Sequence, residues 1–220
     1  MQLKPVTIDI LKYMSTINSS IVIKPGSKIS TIAPGNVSIA NFDSDDNFTE
    51  QISVFNLTEF LGVLNAFGAD ASIDVKSDRM VVSKGRAKVV YVYADPSILQ
   101  QVPATPPKYS ALVDFEISAE LQQQITKMGA LLGADDLTFT ADGSTLKAKI
   151  HDERNPSANS FEVDISDDCQ HTFVANIKLS KMKLYPGSYK VELSDKKLVR
   201  FTHNEIKLVV YVVMESTSKF

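Results

Sequence analysis

The chain has 220 residues, 44% apolar and 22% charged, which is enough for one large domain or two of about 110 and excludes a disordered or fibrous protein. Its net charge of −3, from 23 basic and 26 acidic residues, argues against nucleic-acid binding by bulk charge alone. The longest apolar stretches, 89–94 and 208–214, fall far short of the roughly 18 residues of a membrane span, and Asp9 and Lys12 break what would be the core of a signal peptide.

In chain order, the spacing of Ile8, Leu11 and Ile17, widened by Ile10 and Met14, predicts a helix over 7–18 with Thr7 as its cap. The β-branched run 21–23 ends at Pro25-Gly26, and strand-like pieces over 29–40 are broken by Pro34-Gly35. Residues 43–47 (DSDDN) read as a polar loop. They begin like a calcium loop but place Phe48 and Val54 where glycine and glutamate are needed. A second helix follows Asn56 or Thr58, with Leu57, Phe60, Leu61, Leu64 and Phe67 on one face. Three strands in a meander are expected at 71–75, 80–83 and 87–94.

Residues 95–110 hold four of the nine prolines and no periodic pattern, so they are the expected linker between domains 1–108 and 109–220. Beyond it, Ser118 caps a third predicted helix, AELQQQITKMGALL. Strands are expected at 137–140, 146–150 and 161–165, then a short fourth helix over 177–185 ending at Pro186-Gly187. Strands at 188–193, 198–203 and 206–214 complete the pass. At an offset of 120 residues, VVYV at 89–92 matches VVYV at 209–212, and residues 57–94 and 177–214 both read as helix, turn and three strands. Duplication explains this better than a chance convergence of buried strands on Val and Tyr. The expected class is α+β: two similar domains, each with two helices packed on antiparallel sheets.

The predicted helical segments 1–18, 56–67, 117–129 and 176–185 carry +1, −1, 0 and +3, leaving −6 for the remainder. If the helices share a face, that face is basic on an acidic protein and suits phosphates. The competing reading is three solvated lysines with no partner.

No phosphate-binding or dinucleotide glycine motif is present. The histidines His151, His171 and His203 lack metal-ligand spacing, and Cys169 with His171 supplies two of the four ligands a structural zinc site needs. A single cysteine excludes an internal disulfide and fits a reducing cytoplasm, where the sequons at Asn18, Asn36, Asn47 and Asn56 carry no glycan. No catalytic constellation, cofactor or metal is expected.

The stretches STINSSIVIKPG at 15–26, FNLTEFLGVL at 55–64, ADPS at 94–97, AELQQQI at 119–125 and KLSKMKLYPGSYKVEL at 178–193 run in order over nearly the whole chain. In them the chain resembles the sliding clamps, the DNA polymerase processivity factors, of T-even-like bacteriophages. The resemblance implies the DNA clamp fold, a homotrimeric head-to-tail ring around duplex DNA with helices lining the hole, and a non-enzymatic tether for the viral DNA polymerase. It implies loading by a separate clamp-loader ATPase, a role with late-transcription factors, and residence in the cytoplasm of the infected bacterial host, with no membrane. On this reading Lys4, Lys12, Lys127, Lys178, Lys181 and Lys183 face the DNA. The subunit interface takes Arg86, Lys88, Val90 and Tyr91 from one copy and a strand of the next, either 161–165, with Phe161 and Val163, or 146–150. Ile98, Leu99 and Val102 either line a pocket for a partner's terminal peptide or pin the linker to its sheet. A member of that family carries a tryptophan near the place of Tyr91, and this sequence has none. Two other readings compete: a phage structural or assembly protein of duplicated β-rich domains, and a hydrolase using Cys169 and His171.

Overall fold

Pro5 opens the first helix, α1 (Pro5–Ile17), and buries Ile10, Leu11, Met14 and Ile17 along one face. Thr7 is not its cap; it lies inside the first turn, where its hydroxyl shares a 2.8 Å hydrogen bond with Ser44. The helix has no local side-chain cap. The backbone N–H of Lys4 instead donates to Asp46 Oδ2 at 2.9 Å, so a carboxylate from a distant strand sits at the positive end of α1. That strand is β3 (Ser38–Phe48), and it overturns the polar loop expected at 43–47. The period-2 rule explains the error: Asp43, Asp45 and Asn47 face solvent while Ser44 and Asp46 turn inward to α1. Asp46→Ala is expected to lower the unfolding free energy by about 1–2 kcal/mol, read from the urea midpoint at unchanged slope.

The computed structural model describes residues 1–68, 70–104 and 107–220. The chain divides into two compact units, Met1–Thr105 and Pro106–Phe220. Thr105 and Pro106, within the expected linker, lie outside the described residues.

In the first unit α1 is followed by β1 (Ile21–Ile23) and β2 (Gly26–Ile32), then β3, β4 (Ile52–Val54) and α2 (Leu57–Phe67). β1 pairs with β4 and β2 with β3, all antiparallel. Asn56 caps α2, its Oδ1 accepting from the Glu59 N–H at 3.1 Å, and Gly68 ends it at φ 77°. The expected meander follows as β5 (Ser72–Val75), β6 (Arg79–Lys84) and β7 (Ala87–Val92), in sheet order β5-β6-β7.

The second unit opens with β8 (Val113–Ile117), a strand the sequence pattern did not reveal, and α3 (Ala119–Leu132), capped by Ser118 as expected. Four strands, β9 (Asp136–Asp142), β10 (Leu146–His151), β11 (Phe161–Ser166) and β12 (Thr172–Lys178), form a sheet in the order β11-β10-β9-β12. The remaining strands, β13 (Tyr189–Ser194), β14 (Leu198–His203) and β15 (Leu208–Val213), run antiparallel, with β13 also paired to β8.

The fourth helix does not form. Ile177 and Lys178 remain in the ladder of β12, opposite Leu137 and Asp136 of β9. Only seven residues then separate the strand from Pro186, too few to nucleate a helix. The segment makes one turn instead, held by Asp135, which accepts from the Ser180 N–H at 2.7 Å and the Ser180 hydroxyl at 2.8 Å. The second unit therefore has one α-helix among the described residues, while the expected α+β class with antiparallel sheets stands.

Past this turn the chain folds closely over a buried histidine. Two backbone N–H groups, of Glu205 and Ile206, donate to His203 Nδ1 at 3.1 and 3.3 Å, so the ring proton lies on Nε2 and is donated to Pro186 O at 3.2 Å. The ring packs 4.9 Å from that of Tyr189, whose phenol burial pushes up in pKa and whose hydroxyl donates to Tyr185 O at 2.5 Å. Gly187, at φ 151°, passes directly over the imidazole.

Candidate functional site

The lysines expected on the helices are largely paired within the chain. Lys4 lies 3.6 Å from Asp45 and Lys12 lies 3.0 Å from Asp9, both at exposed sites where such pairs contribute little. Lys178 binds Asp136, and Lys181 binds Glu215, in two less exposed pairs. Burial alone would raise the Asp136 pKa. The Lys178 hydrogen bond, the Glu153 backbone N–H at 3.1 Å and the Lys178 charge together outweigh it and hold the carboxyl below its usual range. Lys127 stands exposed on α3, and Lys183 is exposed beyond the turn at 179–182. The α-helices as formed carry 0, −1 and 0, so the basic-helix pattern expected from the sequence is not present. Lys178, Lys181 and Lys183 lie on a strand end and turn, not on a helix. That turn still adjoins α3: an added Cβ on Gly129 would lie 2.4 Å from Leu179 Cδ1.

The expected interface residues fall on sheet edges. β7 is the last strand of its sheet, and β11 is the last strand of its own. β10 is flanked on both sides, by β9 and β11, so 146–150 has no free ladder to offer and 161–165 does. Along β7 the side chains alternate. Tyr91 turns inward, its ring 5.5 Å from that of Phe60 and its hydroxyl donating to Asn56 O at 3.3 Å. Val90 and Val92, 47% and 66% exposed, turn outward with Lys88. Phe161 and Val163 of β11 are half-buried, while Glu162 and Asp164 face solvent, each 3.5 Å from Lys147. Those two carboxylates, Asp164 most, raise the Lys147 pKa. The β7 edge is thus basic and apolar, with Arg86 and Lys88 exposed, and the β11 edge is acidic.

Beyond β7, Asp95 caps a short turn at Pro96–Ile98, and Leu99 is 7% exposed. The Gln100 amide donates to Asn36 Oδ1 at 2.9 Å, so this stretch is fastened to the first unit. Leu99 pins the chain, while Ile98, 68% exposed, and half-buried Val102 are left at the surface. Cys169 is buried in the loop before β12, its N–H donating to Ser144 O at 2.8 Å. Among the described residues no group of three or more His, Cys, Asp or Glu is placed to hold a metal, and no helix is long and apolar enough to cross a membrane.

No family model matches the chain. It is 29% identical over 208 residues to the protein named sliding clamp in Vibrio phage KVP40, covering 91% of this chain and 94% of that one. It is 28% identical to the sliding clamps of Escherichia phage RB69 and Enterobacteria phage T4, over the full length of each. Among solved structures it matches the proliferating cell nuclear antigen of A. fulgidus, bound to the C-terminal region of FEN-1, with a TM-score of 0.74 at 11% identity over 99% of this chain and 98% of that one. The H. pylori beta clamp bound to a DNA ligase peptide matches with a TM-score of 0.69 at 12% identity, over 98% of this chain and 65% of that one. The fold is the DNA clamp fold, and the resemblance to T-even-like phage clamps extends over the whole sequence.

Proposed function

We propose, from a chain with the DNA clamp fold and a full-length resemblance to phage sliding clamps, that this protein is a DNA polymerase processivity factor. The observation that carries the reading is the match to proteins of that name over 91–100% of the chain. Three copies join head to tail into a ring around duplex DNA, the expected domains 1–108 and 109–220 each serving as a clamp domain. A separate ATPase loads the ring, the viral polymerase is tethered to it, and late-transcription factors use the same platform, all in the host cytoplasm. The chain itself catalyses nothing.

The sheet edges support head-to-tail closure. An open edge strand exposing two valines is an aggregation liability unless a partner covers it. β7 is such an edge, β11 is likewise an open edge, and their charges are opposite. A heterologous contact of this kind closes into a ring when its rotation allows. Lys4, Lys12 and Lys127, with Lys178, Lys181 and Lys183 beside α3, face the hole. Lys4, Lys12, Lys178 and Lys181 are already paired to carboxylates, so contact with phosphates is weak and blind to sequence. Retention on DNA is then topological. Ile98 and Val102 give a partner's terminal peptide its apolar contact, with Leu99 as the anchor beneath.

The test is retention on DNA after loading by the cognate ATPase. The protein should stay on nicked circular duplex through gel filtration and be lost when the circle is cut. Equal loss from both would point to a structural or assembly protein instead.

A further inference from the structure

Each of the two edge-bearing sheets has a second edge, and in each a terminal part of the chain covers it. In the first unit the far edge is β5. Its Ile73 has both backbone groups taken by Met1: the Ile73 N–H donates to Met1 O at 2.8 Å, and the Met1 amino group donates to Ile73 O. In the second unit the far edge is β12, and the cover there is longer. Val174 exchanges two backbone hydrogen bonds with Lys219, at 2.9 and 2.7 Å. The Asn176 N–H donates to Ser218 Oγ at 3.0 Å, and Asn176 O accepts from the Glu215 N–H at 2.8 Å. Residues two apart on a strand direct their backbone groups to the same side. Val174 and Asn176 are the two middle outward-facing residues of β12, and all four of their backbone groups are satisfied by 215–219. Side chains fix the cover in place: Asn176 Nδ2 donates to Thr217 Oγ1 at 2.8 Å, Phe220 stacks on Phe173, and Glu215 holds Lys181.

We infer that these two segments are edge plugs, Met1 on β5 and 215–219 on β12, which leave β7 and β11 as the edges of these sheets able to accept a second copy of the chain. The inference rests on the ring reading above and adds what selects its geometry. With both other edges of these two sheets covered, the pairings left between their edges are β7 with β7, β11 with β11, or β7 with β11. The first sets Arg86 and Lys88 against themselves. The second does the same with Glu162 and Asp164, which share the single ammonium of Lys147. Only the mixed pairing brings opposite charges together. Without the plug on β12, a second acceptor for β7 opens, and a closed ring is no longer the sole product.

The experiment compares wild type, Lys219→Pro and a chain ending at Met214 by light scattering across micromolar concentrations, with circular dichroism on the same samples. Proline removes the N–H that bonds Val174 O and leaves the Glu215 and Ser218 contacts in place. Both variants should keep the wild-type spectrum and form species roughly twofold or more heavier than wild type as concentration rises. Unchanged mass, a fall to single chains, or heavier species that have lost the strand signal would each overturn the plugs. A wild-type mass of one chain would instead sink the ring reading, and the difference between variants and wild type would still judge the plugs.

Discussion

Val90→Asp should take the protein from the proposed species of three chains, 72.6 kDa, to single chains of 24.2 kDa at micromolar concentration. Val90 is 47% exposed and faces away from Phe60 and the unit's interior, so the substitution leaves the folded subunit nearly untouched. Its effect falls on the proposed contact. There it removes an apolar side chain and sets a carboxylate against an edge that already carries Glu162 and Asp164. Loss of a central apolar contact together with a like-charge approach is worth about 3 kcal/mol, or roughly a hundredfold in dissociation constant. Light scattering reads the mass directly. A charge exchange sharpens the result: Lys88→Glu should weaken assembly alone, and Lys88→Glu combined with Glu162→Lys should restore it. A Val90→Asp protein that remains at three chains would place the interface elsewhere.

Gly187→Ala is expected to cost about 3 kcal/mol or more of stability. A Cβ at this position would lie 2.2 Å from His203 Nε2 and 2.7 Å from Cε1, so the ring must move. It has nowhere to go, because His203 is 5% exposed and is held at both nitrogens. Displacement would leave Pro186 O and two turn amides without their partner. At φ 151° the backbone is also unfavourable for any residue with a Cβ. Thermal melting should fall by more than about 10 °C for a unit of this size. The double variant Gly187→Ala with His203→Ala should be more stable than Gly187→Ala alone, since the clash is then gone. Equal melting temperatures for Gly187→Ala and wild type would show that the imidazole yields at little cost.

The sequence was most legible where one signal governed the structure. The i, i+3, i+4 apolar spacing of 57–67, with Asn56 before it, yields α2 as expected, and the three strands of the meander follow where the pattern places them. It was least legible where a long-range contact decided. Residues 177–185 have helical composition, but β9 claims Ile177 and Lys178, and the remainder is too short to form a helix. The acidic run 43–47 reads as a loop unless it is known that α1 needs a carboxylate at its N-terminus. Counting charges along the chain likewise assigned +3 to helices, because it placed Lys178, Lys181 and Lys183 on a helix that does not form; nor could it show the pairing of Lys178 with Asp136 and of Lys181 with Glu215, 42 and 34 positions apart. The edge positions of β7 and β11 depend on sheet order, which no local pattern encodes.

The cap on α1 also bears on how the first unit folds. The helix is complete in sequence by Ile17, yet the group that accepts from its N-cap residue lies at Asp46, in the third strand that follows. A thirteen-residue helix without a cap of its own is marginal in water. During synthesis α1 therefore leaves the ribosome well before β3 can stabilise it, and it consolidates only once that strand has docked. The entropy of closing the intervening loop is met before the helix gains its contacts. Helix and sheet then form in one cooperative step, and the first unit has no stable helical intermediate in which α1 stands alone.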